Sequence, residues 1–254
     1  MPGNIHELFT ASVAEEIRKQ LNAFSVSGSS ADFVNGIITC ASRRLVFEKS
    51  RDDPDMQFQH ESAGSPGVVI EVSHSQKKRD LPHLADTYIL GSEMNIQVVV
   101  GLDIEYTGGG RRKGETKGKG KGKRKASEKG KLATISVWVP KTDEEEDGQT
   151  PFRDHNGNTV SSPTSDLRIP LRDFAPPFLF ATLDMPIPQE EILIPAQTLC
   201  NFLHRAERMH LKMRNRTGIV NPPPANPSRK RYRPVTPDEE LEERDEKRFR
   251  EEED

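Results

Sequence analysis

Apolar residues recur at steps of three and four near the start of the chain. They form one stripe, made of Ile5, Leu8, Phe9, Val13, Ile17, Leu21 and Phe24. This spacing places the side chains on one face of an amphipathic helix. The same periodicity predicts two further helices. One covers residues 76–90, where Gly91 is a suitable C-cap, and the other covers residues 195–214, with Pro195 in its first turn.

Three longer segments have strand patterns. Residues 67–73, GVVIEVS, alternate between two faces, with Glu71 on the more polar one. Residues 95–106 are almost continuously apolar, as expected for a strand buried on both sides at the centre of a sheet. Residues 131–140 alternate again, so they predict a third strand.

Shorter extended segments are expected within residues 36–48, at residues 56–60 and at residues 167–171, the last of which we interpret as the final strand. A helix between two strong strands indicates a crossover and a parallel strand pair. The strand at 131–140 would return antiparallel to its predecessor. The pattern therefore predicts an α/β fold with a mixed central sheet flanked by helices.

Composition separates a folded part from charged appendages. Of the 254 residues, 33% are hydrophobic and 30% are charged, which is too polar for a chain that is packed throughout. We expect a domain at residues 4–219, with a core at 5–140 and an extension at 141–219. We expect residues 107–131 to form a disordered basic insert, and residues 220–254 a disordered tail that is proline-rich, then basic, then acidic.

The net charge of −3 conceals strong segregation. Residues 107–131 hold eleven Lys and Arg against two Glu, a net +9, whereas residues 238–254 hold four against eleven acids, a net −7. Opposite blocks of this kind are typical of interaction segments. The basic insert could bind nucleic-acid phosphates, be recognised by a nuclear import receptor, or simply solvate a loop. The candidate phosphate contacts are Arg111, Arg112, Lys113, Lys121, Lys123, Arg124 and Lys125.

Location and ligand class follow from similar observations. A second basic segment at 227–234, PSRKRYRP, favours a nuclear protein, with the cytoplasm as the alternative. The chain has no apolar run of about 18 residues, so we expect no membrane span. Its two cysteines fit a reducing compartment. The glycines at 108–110 lack the GxxxxGK[ST] pattern, and we predict no small-molecule organic cofactor.

Two acids and two lysines form the candidate catalytic set. Asp55 follows a proline, Glu71 lies inside a predicted strand, and Lys77 and Lys78 come shortly after it. Carboxylates from adjacent strands can hold Mg²⁺ or Mn²⁺, which lowers the pKa of bound water, while a lysine can orient that water or a phosphate. Each residue also has a plainer interpretation: Asp55 as a turn residue, Glu71 on a solvated face, and the lysines as surface residues.

The order Pro54-Asp55, then Glu71-Val72-Ser73, between an amphipathic helix and a crossover helix, resembles the PD-(D/E)xK nuclease superfamily. The resemblance covers residues 5–140, and residues 54–106 are also similar to a group of putative endonucleases abundant in bacteria. It implies a restriction-endonuclease-like core of helix, three strands, helix and strand. It also implies metal-dependent cleavage of DNA.

By position, the resemblance implies that Asp55 and Glu71 hold the metal and that Glu15 or Glu16 in the first helix adds a contact. The sequence departs from the family at Ser73, where a lysine is expected. Lys77 or Lys78 would then replace that lysine from the following helix. Two alternatives stay open: an inactive module that binds nucleic acid or chromatin through the basic insert, and a protein-interaction scaffold.

Overall fold

The computed structural model describes residues 4–26, 29–48, 50–74, 80–105, 131–140, 148–215 and 217–218. The chain divides into two compact units, Met1–Arg216 and Thr217–Asp254, and the described helices and strands all lie in the first. Among the described residues, none of the helices combines the length and apolar character that a membrane span requires.

The described part of the first unit contains both helices and strands. The helices are α1 (Asn4–Val26), α2 (Ala31–Asn35), α3 (Leu81–Gly91), α4 (Pro177–Leu183) and α5 (Ala196–Asn215). The strands are β1 (Ile37–Thr39), β2 (Leu45–Val46), β3 (Arg51–Asp52), β4 (Met56–His60), β5 (Val68–His74), β6 (Val98–Ile104), β7 (Ala133–Trp138), β8 (Gln149–Arg153), β9 (Leu167–Pro170) and β10 (Glu191–Ile194).

Six strands form a mixed sheet in the order β1-β4-β5-β6-β7-β8. β5 and β6 are parallel and joined through α3, whereas the other neighbours are antiparallel. The predicted α/β class, the mixed sheet flanked by helices, the parallel pair and the antiparallel return of β7 are thus confirmed. Two small antiparallel strand pairs, β2–β3 and β9–β10, lie outside this sheet.

The sheet separates two cores, because successive side chains of a strand point to opposite faces. The larger core packs α1 against alternate strand residues, including Val68, Ile70, Val72, Val100, Leu102 and Ile104. The smaller core packs α3 against the opposite face, where it includes Leu81, Ala85, Tyr88, Val69, Val99 and Trp138. The helices α1 and α3 therefore lie on opposite sides of the sheet.

Residues after the predicted core extend both the sheet and the larger core. β8 adds an edge strand, and α5 packs on α1 with Leu199, Leu203 and Ala206 buried. The prediction that residues 167–171 hold the final strand is wrong, because β10 follows and pairs with β9. β8, α2 and α4 also escaped prediction. Their segments are short and carry prolines or polar residues, so their burial depends on tertiary contacts.

Candidate functional site

The register of the sheet brings the two predicted acids to neighbouring positions. The β4–β5 ladder pairs Met56 with Ile70, and one further step along this register sets Asp55 opposite Glu71. Directly opposed residues of an antiparallel pair have Cβ atoms about 5 Å apart. Asp55 is the last residue of the turn before β4, and Glu71 lies inside β5. Both acids therefore lie toward the same end of this strand pair.

Asp55 is held by a histidine and by the backbone of the neighbouring strand. Its Oδ2 accepts a hydrogen bond from the backbone N–H of Val72 at 2.8 Å and lies 3.0 Å from Nε2 of His6. The same Nε2 lies 3.0 Å from the carbonyl oxygen of Val72. Because both neighbours of Nε2 are acceptors, we assign the imidazole proton to that nitrogen.

The pKa of His6 is raised above the ordinary histidine value by this environment. The largest cause is the hydrogen bond to Asp55, and the negative charges of Asp55 and Glu71 and the Val72 carbonyl add to it, against the lowering effect of burial. Asp55 and Glu71 thus act on the same imidazole. The protonated form of His6 is favoured beside them.

A cavity of about 430 Å³ opens beside this pair on the α1 side of the sheet. His6 and Asp55 contribute to its wall together with Thr10, Arg18 and Ser42. Ligand cavities are commonly of this size. The Asp55 carboxylate, which is 23% exposed, is therefore reachable from a space large enough for a small substrate group.

Glu71 is held from the opposite face. Its Oε1 accepts a hydrogen bond of 2.6 Å from the phenol of Tyr88 on α3. Burial and the nearby charges of Glu71, Asp52 and Asp55 raise the pKa of Tyr88 far above its usual value. The phenol thus stays protonated and acts as a permanent donor to Glu71.

A third carboxylate lies next along the sheet. Ser73 and Asp103 are register partners in the parallel β5–β6 pair, and Ser73 Oγ donates to Asp103 Oδ1 at 2.6 Å. Asp103 is only 2% exposed. Ser73 occupies the position where the resemblance predicts a lysine, and its hydroxyl is therefore hydrogen-bonded to a buried acid.

The other predicted residues do not join this cluster within the described part of the chain. Glu15 lies on the exposed side of α1, paired with Arg18, and its position along the helix is about 13 Å from His6. Lys77 and Lys78 lie outside the described residues. So do Arg111, Arg112, Lys113, Lys121, Lys123, Arg124 and Lys125. No group of three or more His, Cys, Asp and Glu that could hold a metal ion occurs among the residues that the structure describes.

The sequence carried partial signals for the residues that were missed. His6 falls on the apolar stripe of α1, one position from Ile5, where a polar side chain needs a partner. Asp103 interrupts the apolar run of β6, and a buried acid in a central strand requires a donor. Tyr88 lies in the predicted helix at 76–90, and its side chain is buried. Its bond to Glu71 could not be derived from periodicity.

Comparisons of the chain with protein-family models, with curated proteins and with solved structures gave no match. The sheet register and the contacts around Asp55, Glu71 and Asp103 are therefore the observations on which a function can be based. They define three carboxylates at the same end of β4, β5 and β6. Each of them accepts a hydrogen bond from a neighbouring side chain.

Proposed function

We propose that this chain is a Mg²⁺-dependent nuclease that hydrolyses phosphodiester bonds of DNA on a restriction-endonuclease-like core. The element order supports this proposal. Helix α1 is followed by the sheet strands β1, β4 and β5, then by helix α3 and strand β6. The chain thus contains a helix, three sheet strands, a helix and a strand, with one helix on each face.

The observation that carries the proposal is the position of Asp55 opposite Glu71 in the β4–β5 register. Mg²⁺ is usually bound through one or two protein carboxylates together with waters and substrate phosphates, and Asp55 and Glu71 would supply two. The cavity beside Asp55 gives a substrate phosphate access to this edge of the sheet. These features agree with a site for phosphodiester hydrolysis.

The donor atoms in the cluster suit a hard divalent cation. Asp55 and Glu71 offer carboxylate oxygens, and the carbonyl oxygen of Val72 lies beside Asp55, within 3.0 Å of the same His6 nitrogen. Oxygen donors of this kind are preferred by Mg²⁺ and Mn²⁺. Asp55 and Glu71 would hold the ion, which when bound lowers the pKa of a water ligand and stabilises charge on the phosphate.

The neighbouring side chains have distinct supporting roles. His6 and the Val72 N–H fix the orientation of the Asp55 carboxylate, and Tyr88 fixes that of Glu71. We propose that Lys77 or Lys78 orients the attacking water, because both follow β5 closely in the sequence. Lysine is suited to this role as a compact cation.

The basic residues of segment 107–131 would bind the phosphates on either side of the scissile bond. In the sequence this segment joins β6 and β7, two neighbouring strands of the sheet that carries the acids. Binding of this type releases counterions and therefore weakens steeply as salt rises. The second basic segment, at 227–234, supports residence in the nucleus by way of an import receptor.

A plasmid-nicking assay tests the proposal. Supercoiled DNA is incubated with the full chain in Mg²⁺, in Mn²⁺ and in EDTA, and the same assay is repeated with Asp55→Ala, Glu71→Ala and the Lys77→Ala/Lys78→Ala double variant. We expect metal-dependent nicking that falls by at least about a hundredfold in each acid variant, since each removes a metal ligand. Glu61→Ala, which removes an exposed acid in the turn after β4, is the control. Equal nicking by all variants excludes the site.

The contacts of the two acids favour a second candidate function, binding of nucleic acid without cleavage. Asp55 and Glu71 already accept hydrogen bonds from His6, Val72 and Tyr88, and Ser73 replaces the family lysine. Such a network can be purely structural. This candidate predicts DNA binding that needs no metal, drops steeply between about 50 and 200 mM salt, and is unchanged in Asp55→Ala.

A further inference from the structure

A second cavity, of about 390 Å³, lies on the α3 side of the sheet. It is bounded by the segment that leads into β2, by β4 and by the turn that follows α3. The residues that matter for its chemistry are Arg43, Phe47, Gln57 and Glu93. We call this space the Gln57 pocket.

The Gln57 pocket contains a buried amide with an unused acceptor. The Gln57 residue is 0% exposed, and its Nε2 donates to the backbone carbonyl of Arg43. Its Oε1 is buried and has no hydrogen-bond partner among the described residues. Buried side-chain oxygens nearly always accept a hydrogen bond, because leaving one unpaired carries a full desolvation cost. Gln57 Oε1 is therefore suited to a ligand that brings an N–H donor.

The pocket adjoins the candidate nuclease site. Gln57 pairs with Val69 in the β4–β5 ladder. This pair lies two residues along the strands from Asp55 and Glu71, a distance of about 7 Å. Phe47 contacts Tyr88 edge to face, with ring centroids 6.2 Å apart, and Tyr88 in turn bonds Glu71. Gln57 and Glu71 thus share the α3 side of the sheet, whereas the cavity beside Asp55 lies on the α1 side.

The remaining lining offers an apolar ring and a cationic side chain. Phe47, which is half-buried, supplies apolar surface for a flat ring, and Arg43 is exposed, with no ion pair to any of the described residues. Its neighbour Arg44 is already paired with Asp53 at 2.8 Å. Glu93 also lines the pocket and disfavours an anion on its own side, so the phosphate would lie toward Arg43.

We propose that the Gln57 pocket binds one nucleotide, with an N–H edge of its base donating to Gln57 Oε1 and its phosphate against Arg43. Every nucleobase can present an N–H donor once it is unpaired. The Gln57 side chain is covered, so the proposal requires a lining side chain to move aside when the base binds. The inference rests on the proposed function, because the pocket would receive a nucleotide of the strand held at Asp55 and Glu71.

Binding is measured without cleavage, on the full chain in EDTA and at about 0.3 M salt to weaken contacts with the basic segment. Isothermal titration calorimetry compares two probes: deoxyadenosine 5′-monophosphate and an eight-nucleotide oligodeoxyadenosine. The variants are Gln57→Met, which removes the amide at similar volume, and Arg43→Ala. The matched control is Arg51→Ala, an exposed arginine on β3 of the same hairpin.

We expect Arg43→Ala and Gln57→Met each to weaken binding about tenfold, and Arg51→Ala to weaken it less than twofold. If both variants weaken binding of the mononucleotide, the pocket is a site for free nucleotides. If they weaken binding of the oligonucleotide alone, the pocket binds a nucleotide within a strand. Absence of binding by both probes overturns the inference, as does binding that neither variant changes. If Gln57→Met unfolds, the exposed Arg43→Ala decides.

The nicking assay separates this inference from the proposed function. Loss of all nicking with intact, Gln57-dependent binding contradicts the nuclease proposal alone. If nicking depends on metal but probe binding is the same in Gln57→Met and Arg43→Ala as in the wild type, only the nucleotide pocket is contradicted. Thermal unfolding of each variant verifies that a change in affinity does not come from loss of fold.

Discussion

The two faces of the β5–β6 pair have opposite chemistry. On the α1 side, Val68, Ile70 and Val72 of β5 and the alternate residues of β6 from Val98 to Ile104 are apolar and buried. On the α3 side, the strands begin with Val69 and Val99 but continue with Glu71, Ser73, Gly101 and Asp103. The polar positions are thus confined to one face and to the carboxyl ends of the parallel strands.

This difference shows how one sheet can combine stability with a polar site. The α1 face forms the larger core, so the α3 face can hold carboxylates at its far end. The carboxyl ends of parallel strands are also where open α/β sheets bind ligands. Asp55 connects the two sides, since it lies opposite Glu71 yet is bound by His6 of α1.

The largest expected effect comes from the apolar face. Leu102→Ala should lower the free energy of unfolding by about 3 kcal/mol, because it leaves a cavity in the larger core. Leu102 is 0% exposed. Urea unfolding measures the change, and Leu90→Ala, at a leucine that is 64% exposed on α3, should stay within about 0.5 kcal/mol. Equal losses at both leucines would contradict the assignment of the α1 face as the main core.

A smaller effect is expected on the polar face. Tyr88→Phe should lower the free energy of unfolding by about 2 kcal/mol, because it removes the hydrogen bond that the phenol donates to the Glu71 carboxylate while keeping the ring. In a Glu71→Gln background the same substitution should cost about 1 kcal/mol, since the acceptor is then neutral. Identical costs in both backgrounds would mean that the phenol stabilises the protein by other contacts.

The central fold was predictable because its elements are long or strongly patterned. α1, β5 and β7 each show one dominant period, β6 is an almost continuous apolar run, and β5–α3–β6 implied a parallel pair, as observed. β10 was not predicted because its sequence, EILI, is short and because it pairs with β9 across the intervening residues 171–190. Sequence periodicity reports the local face of an element and does not report which distant segment will cover it.

The candidate site was predictable only in its acids. Asp55 and Glu71 stood out by type and spacing, and the register sets them opposite each other. Their partners did not stand out, because His6 is 49 positions from Asp55 and occupies a place typical of a core residue. Gln57 looked like an ordinary strand residue, and its unpaired Oε1 follows from packing that no sequence pattern specifies.

The smallest expected effect is a pH dependence of stability, which should be present for the His6–Asp55 contact and absent for the Tyr88–Glu71 contact. The raised pKa of His6 means that the folded protein binds its proton more tightly than the unfolded chain does, chiefly through the hydrogen bond to Asp55. Its stabilising contribution, about 1 kcal/mol or less for a partly exposed pair, is complete below the ordinary pKa of 6.5 and is lost as pH rises through the raised value. The difference in unfolding free energy between the wild type and His6→Gln should therefore shrink with rising pH.

Glu71 provides the contrast, because Tyr88 stays protonated over the same range and gives the Glu71 contact no comparable pH dependence. The difference between wild type and Tyr88→Phe should accordingly stay level where the His6→Gln difference declines. Repeating the His6→Gln comparison in an Asp55→Asn background should reduce the decline, since the main cause of the raised pKa is removed. A decline of unchanged size there would mean that Glu71 or the Val72 carbonyl, and not Asp55, controls the proton on His6.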